Sequence, residues 1–278
     1  MLMPDRDLDI TKFSYLSYRK FKKALGEFDA VVECNELAIL EFLDNYKENE
    51  NSCILGLSRK HKIKVDAVEI TKFSSRIRSF YIVSVLQQFE QFLKDFRKEY
   101  LTYFDKVWTE KSKGQTHLEN LLYNIDVCIS EDTLNIYNYY RLIRNYFSHT
   151  DRDIEQINEL FSKVNQISLA SLDDIILSTK LKIHSLDEVN FEDFLIITNI
   201  VKHIAYVIST FSKPTNEHIA SILLSELEDR KLKNIKKNIH NSPRLENSLK
   251  NLVFTKFGRF SEQDLIEVVE ALKDLLVK

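Results

Sequence analysis

A chain of 278 residues with a formal net charge of −3, 44 % hydrophobic and 29 % charged residues, is long enough to bury a core without disulfide or metal staples. It holds only four Gly and three Pro, far below average usage. Gly26, Gly56, Gly114 and Gly258 lie too far apart to build G-x-G-x-x-G or G-x-x-x-x-G-K-[ST], which excludes nucleotide binding of the Rossmann and P-loop kinds.

What remains is an all-α chain, helices joined by polar turns of Asn, Ser, Asp and Lys. The spacing predicts a helix over 12–46, broken near Gly26, then a loop at 49–56. A long helix follows over 66–104, where Ile82, Leu86, Phe89, Leu93, Phe96 and Tyr100 alternate steps of four and three and make one apolar face. A polar break at 111–116 contains Gly114, and Leu118, Leu121, Leu122 and Ile125 mark a short helix. Ser130-Glu-Asp is a helix start, and from it Ile136, Tyr140, Ile143 and Phe147 face a core. Thr150 with Asp153 resembles a capping box for the next helix, so the preceding one ends near Ser148 or His149. Helices over 153–161, 169–182 and 191–211 come next, closed by Lys213-Pro214, with two or three more beyond and breaks near Pro243 and Gly258.

Cys34, Cys53 and Cys128 are odd in number without C-x-x-C spacing, the pattern of reduced thiols in a cytosolic compartment. Seven scattered His and no H-E-x-x-H offer no zinc site, so neither metal nor cofactor is expected. The acidic start lacks the apolar run of a secretory signal. The longest apolar stretches, such as 194–201, are too short to span a bilayer. The expected location is the cytoplasm, without a membrane partner.

Charge is segregated along the chain. Residues 230–259 hold nine Lys/Arg against Glu246 alone, residues 59–78 hold seven against Asp66 and Glu69, and residues 151–195 are acidic. Basic segments on a mildly acidic protein suit an anionic partner, although charge runs are common on solvated helical faces. Lys236, Lys237 and Arg244 are the candidate phosphate contacts of the C-terminal segment. Arg141 is a further one, because Arg141, Asn145 and His149 follow each other in steps of four on one side of a helix.

The chemically sharp feature is the hexapeptide Arg144-Asn145-Tyr-Phe-Ser-His149. With 12 Arg, 19 Asn and 7 His in 278 residues, composition alone yields an Arg-Asn-x-x-x-His roughly 0.02 times per chain. Chance is therefore a poor explanation, and an incidental exposed Arg and His on an amphipathic helix is the bland one. On an unbroken helix a five-residue spacing splays the two side chains apart; at a helix end both reach one ligand. Arg offers a planar, permanently charged fork to a phosphate oxygen. His moves a proton near neutrality. Attack of a ribose 2′-OH on the adjacent phosphate needs these two groups and no metal, and the 2′-OH restricts the reaction to RNA.

The hexapeptide resembles the R-x(4–6)-H motif of the HEPN superfamily, with the polar residue that family favours directly after the Arg. The surroundings are similar too: a long helix carrying Phe89-Glu90-Gln91-Phe92-Leu93, a variable helical stretch, the motif helix and a further helix, over roughly residues 66–211. The resemblance implies a helical bundle that dimerises, so that two motifs form one composite, metal-independent ribonuclease site. Arg144 and His149 are then catalytic, and Asn145 orients them or binds phosphate. Many members are toxins or defence ribonucleases, and others are silent RNA or nucleotide binders, so the implied partners are RNA, a second copy, and an antitoxin or defence-system protein. One departure is Asp151, at the position where toxins controlled by a nucleotidyltransferase antitoxin carry Tyr.

The expected organisation is a HEPN-like helical domain over 1–214, with its core about 66–211, and a basic helical C-terminal extension over 215–278. The alternatives are a catalytically silent HEPN-like RNA-binding or scaffold protein, and a helical protein-interaction module. Glu90, beside the apolar stripe, either touches the motif Arg or is a surface residue, the second being the commoner case; His184 and His203 read as satisfied core or boundary residues. Tyr137, Tyr139, Tyr140 and Tyr146 stack bases or pack in a core or at a dimer surface.

Overall fold

A computed structural model describes residues 13–65, 69–148, 153–172, 181–228, 232, 233, 235, 237, 242–258 and 260–277. The architecture is all-α. In chain order the helices are α1 (Leu16–His61), α2 (Ile70–Phe104), α3 (His117–Ile125), α4 (Glu131–Ser148), α5 (Ile154–Val164), α6 (Phe191–Phe211), α7 (Asn216–Ser225), α8 (Ser242–Phe257) and α9 (Glu262–Val277).

Local signals explain most boundaries. The predicted stripe on α2 is buried from Ile82 to Tyr100, and so are Leu118, Leu121, Leu122 and Ile125 on α3. Thr116 caps α3 in a full capping box with Glu119. The Ser130 hydroxyl accepts from the amide of Thr133 at 3.3 Å and starts α4. Gly258, at φ +82, ends α8 in the left-handed conformation that lacks a penalty only for glycine.

Four expectations are corrected. Helix α1 runs unbroken through Gly26 and through the expected loop at 49–56; an interior Gly costs a helix only about 1 kcal/mol, and the long helix carries two. Pro243 does not break a helix but sits in the first turn of α8, where its missing N–H costs nothing. The α5 cap is Asp153, whose side chain accepts from the Gln156 amide, and not Thr150, which lies outside the described residues. Where the expected helix at 169–182 is described, its start is a 3₁₀ turn at Leu169–Ser171 and its end, at 181 and 182, is non-helical; residues 173–180 lie outside the described residues.

Helix α6 also departs from the reading that no apolar stretch is long enough to cross a bilayer. Its 21 residues reach a mean hydropathy of 1.6 over the most apolar window. That window is 61 % buried within the fold, the state of a core helix.

The chain divides into two compact units, with α1, α2 and α6 each contributing to both. One unit takes residues 13–20, 93–127 and the described residues from 206 onward, so that the described part of 215–278 groups with the end of α2 and with α3. Its core is aromatic: Tyr15 lies edge-on to Phe96 and stacks on Tyr103, and its hydroxyl donates to the Ser212 carbonyl at 2.6 Å. Glu99 caps α1 by accepting from the amides of Leu16 and Ser17, each at 2.8 Å. The other unit takes residues 21–92 and the described part of 128–205. There Phe21 packs on Phe89 and Phe92, and Phe194 packs against Phe28 and Tyr81. Two partly buried ion pairs, Glu36 with Arg78 and Asp29 with Lys202, tie α1 to α2 and α6. Burial raises the Asp29 carboxyl above its usual range, against the pull of Lys202.

Candidate active site

Helix α4 carries the hexapeptide, and its residue pattern explains its placement. Ile136, Tyr137, Tyr139, Tyr140, Leu142 and Ile143 are buried. Tyr137 meets Phe89 edge-to-face at 5.6 Å, and Phe147 lies 6.5 Å from Phe80. These contacts run in opposite chain directions, so α4 lies antiparallel to α2. The tyrosines predicted either to stack bases or to pack do the latter at 137, 139 and 140, which are buried; Tyr146 is half-buried.

Two tyrosine hydroxyls anchor α4, one to the start of α6 and one to the segment before it. Tyr139 donates to the His184 carbonyl at 2.6 Å, and Tyr140 donates to Asp193 Oδ1 at 2.7 Å. Asp193 is fully buried and also accepts from the amides of His184 and Asn190. His184 Nδ1 lies 3.1 Å from Asp193 Oδ2, and this hydrogen bond raises the imidazole pKa above its ordinary value. His184 is thus a satisfied boundary histidine, as the sequence suggests.

Arg144 is one turn beyond Tyr140 on the same row as Tyr137. Helical side chains lean toward the N-terminus of their own helix, which carries the Arg144 guanidinium back toward the Tyr137–Phe89 contact. There its Nη2 bonds Glu90 Oε1, one residue after Phe89. The side chains of Arg144 and Glu90 are only 17 % and 26 % exposed. Of the two sequence-based readings of Glu90, contact with the motif Arg holds and the surface position does not; the expectation of Arg144 at an open helix end is corrected. The available signal was position: Glu90 lies four residues after Leu86 and three before Leu93, on the flank of the apolar stripe. Burial lowers the Arg144 pKa from the usual arginine value, and its Nε–H has no acceptor among the described residues. The Arg19 Nε is in the same state.

The remaining predicted residues separate into three groups. Asn145 and Arg141 are half-buried on α4, and Arg141 Nε donates to Asn138 Oδ1 at 3.1 Å. His149, with Thr150 and Asp151, lies outside the described residues, just past the last described residue of α4, Ser148. In the C-terminal segment Lys237 and Arg244 are exposed, and Lys236 lies outside the described residues. Two of that segment's other cations are engaged: Lys250 pairs with Glu246 at 2.7 Å, and Lys256 pairs with Glu226.

Among the described residues no group of three or more His, Cys, Asp and Glu side chains is placed to hold a metal ion. Set against protein-family models, curated proteins and solved structures, the chain matches none.

Proposed function

We propose that the protein is a metal-independent endoribonuclease of the HEPN type, working at a composite Arg144/His149 site across a homodimer in a toxin–antitoxin or phage-defence setting. The observation that carries this reading is the state of Arg144. Among the described residues its guanidinium is held by one Nη2 contact to Glu90, and its buried Nε–H has no acceptor. Guanidinium has five N–H donors in a fixed fork, and a buried donor without an acceptor calls for an explanation. A phosphate oxygen is the natural acceptor.

In the proposed reaction the ribose 2′-oxygen attacks the adjacent phosphorus while the P–O5′ bond breaks. His149 takes the 2′-OH proton, a proton is delivered to the departing O5′ by the second His149 of the dimer, and Arg144 stabilises the charge on the non-bridging oxygens. The products are a 2′,3′-cyclic phosphate and a 5′-hydroxyl. An apolar patch supports the dimer: Phe80 is exposed beside Phe147. A symmetric contact there is isologous.

The test is cleavage of single-stranded RNA by the purified protein in EDTA, with a 2′,3′-cyclic phosphate at the product end. Activity that needs added Mg²⁺, or full activity in both His149→Ala and Arg144→Ala, overturns it. One observation favours a second reading, the silent RNA-binding protein: Glu90 already occupies Arg144. RNA binding without cleavage is the outcome that selects it.

A further inference from the structure

The loop between α2 and α3 gathers positive charge in a way the linear sequence conceals. Residues 94–117 hold six Lys/Arg, with four acids interleaved among them. Folding takes one of those acids out of play: Glu99 is spent on the N-terminus of α1 and on the Tyr103 hydroxyl. Glu110 pairs with Arg97 at 3.0 Å, a solvent-exposed pair of the weak kind with which a phosphate competes. Lys94, Lys111 and His117 are exposed, and neither lysine has an acidic partner among the described residues. Partial burial of the ring disfavours protonation of His117, and Lys111, Lys94 and Arg97 lie near enough to add to that effect.

Aromatic rings are interleaved with these cations. The Arg97 guanidinium lies 4.8 Å from the centre of the Trp108 ring, and Lys106 lies over Tyr100 and donates to its hydroxyl at 3.2 Å. Trp108 and Tyr100 adjoin at 6.3 Å. The loop is also fastened. Trp108 Nε1 donates to Asn120 Oδ1 at 2.9 Å. The backbone of Thr109 is clamped by Asn124, which accepts from its amide at 2.8 Å, and by Asn120, which donates to its carbonyl at 3.0 Å. Fixing like charges together costs electrostatic energy that a polyanion returns, and cations set among aromatic rings suit a nucleic-acid strand.

We propose that Lys94, Arg97, Lys106, Lys111 and His117, arranged around Trp108, form a phosphate-binding surface for single-stranded RNA, apart from the residues that would cleave it. This rests on RNA being the ligand of the protein and does not depend on cleavage. The surface holds the strand by its phosphates and sets no base preference.

Trp108 is the only tryptophan in the chain, so its fluorescence reports on this surface and on no other. The experiment titrates the full chain with a 5′-labelled 2′-O-methyl RNA oligonucleotide, which cannot be cleaved by 2′-OH attack, and reads label anisotropy and Trp108 emission together. Binding should change the emission. Lys94→Glu with Lys111→Glu should weaken affinity at least about tenfold at low salt and lower the slope of log K against log salt by about 1.4, two phosphate contacts at about 0.7 each. Lys94→Gln with Lys111→Gln should have a smaller effect in the same direction and guards against misfolding of the reversed variant. An unchanged salt slope with unchanged Trp108 emission overturns the proposal while leaving ribonuclease activity untouched. Tripolyphosphate altering Trp108 emission when the oligonucleotide does not bind reassigns the surface to small phosphates and also overturns it. Binding through Trp108 with no cleavage of unmodified RNA upholds this surface and removes the nuclease reading.

Discussion

Two arginines in the same unit meet glutamates, and they do so differently. Arg78 grips Glu36 with two donors, Nε at 3.2 Å to Oε2 and Nη2 to Oε1. The two side chains are 14 % and 7 % exposed. Both carboxylate oxygens and the inner edge of the guanidinium are used, which is the geometry of a finished, bidentate bridge. Among the described residues Arg144 touches Glu90 through one Nη2 and keeps a buried Nε–H without an acceptor. A similar degree of burial thus accompanies one closed pair and one open one. A closed bridge holds helices together; an open one leaves donors for a ligand.

Function should divide along that line, and the largest effects should fall on the open pair. His149→Ala and Arg144→Ala should each reduce RNA cleavage by about 10²–10⁴-fold, measured as initial rates with a defined oligonucleotide. Arg144→Ala should also cost about 1–2 kcal/mol of stability, because Glu90 is left partly buried and unpaired. Glu90→Gln sharpens the point: it should keep the fold and raise RNA affinity by releasing the guanidinium. A fall in affinity would make Glu90 a support for Arg144 and not its competitor. On the closed pair, Arg78→Ala should cost about 3 kcal/mol in urea unfolding, because Glu36 is buried without its partner. The cleavage rate per folded molecule should stay the same. Loss of cleavage in folded Arg78→Ala would erase the distinction between the pairs.

The sequence revealed the two arginines unequally. Periodicity exposed the stripe Ile82–Tyr100 and the core face of α4, because apolar burial at helical spacing writes itself into the chain. It also marked Arg144 as special, through the rare Arg-Asn-x-x-x-His pattern. Glu90 was visible as an acid beside the stripe within reach of the motif Arg, but its partner was 54 residues away, and no local rule chose that contact over a surface position. The same holds for the clamp on Thr109 by Asn120 and Asn124, and for the surface around Trp108: its acids alternate with its cations in sequence, and only the fold turns Glu99 inward to cap α1. The expected loop at 49–56 failed for the opposite reason. Asn, Ser and Gly are turn formers in isolation, yet a helix already under way absorbs several of them.

How α4 is held decides whether Arg144 is positioned independently of Glu90. The anchor is Tyr140, whose hydroxyl donates to buried Asp193. Tyr140→Phe removes that donor and leaves an oxygen of Asp193 short of one hydrogen bond. The expected loss is about 1–3 kcal/mol of stability, with cleavage by the folded protein reduced less than in Arg144→Ala. A larger loss of cleavage than in Arg144→Ala would mean that the anchor, and not the ion pair, sets the arginine.

The smallest expected effect is a pH dependence at the same anchor. The His184 pKa is raised in the fold, first by its hydrogen bond to Asp193 and further by Asp193, Glu192 and Glu188 as charges, against the opposing effect of burial. Asn190 pulls the other way: its Oδ1 accepts from the Glu192 amide at 2.7 Å, so its NH₂ group faces His184 Nε2 at 2.9 Å and suits only a ring nitrogen without a proton. The buried carboxylate prevails, because a charge-assisted hydrogen bond is about twice as strong as a neutral one. On protonation, Glu192 Oε2, at 3.9 Å from Nε2, is beyond hydrogen-bond length but close enough to attract the new charge. A group whose folded pKa is raised binds its proton more tightly folded than unfolded. Its contribution is therefore complete below the unfolded value, about 6.5, and disappears as pH rises through the higher folded value. The stability difference between wild type and His184→Gln, from urea unfolding at pH 6 and pH 8, should be larger at pH 6. A difference that grows toward pH 8 would show that Asn190 governs the ring and that His184 holds α6 to α4 as a neutral imidazole.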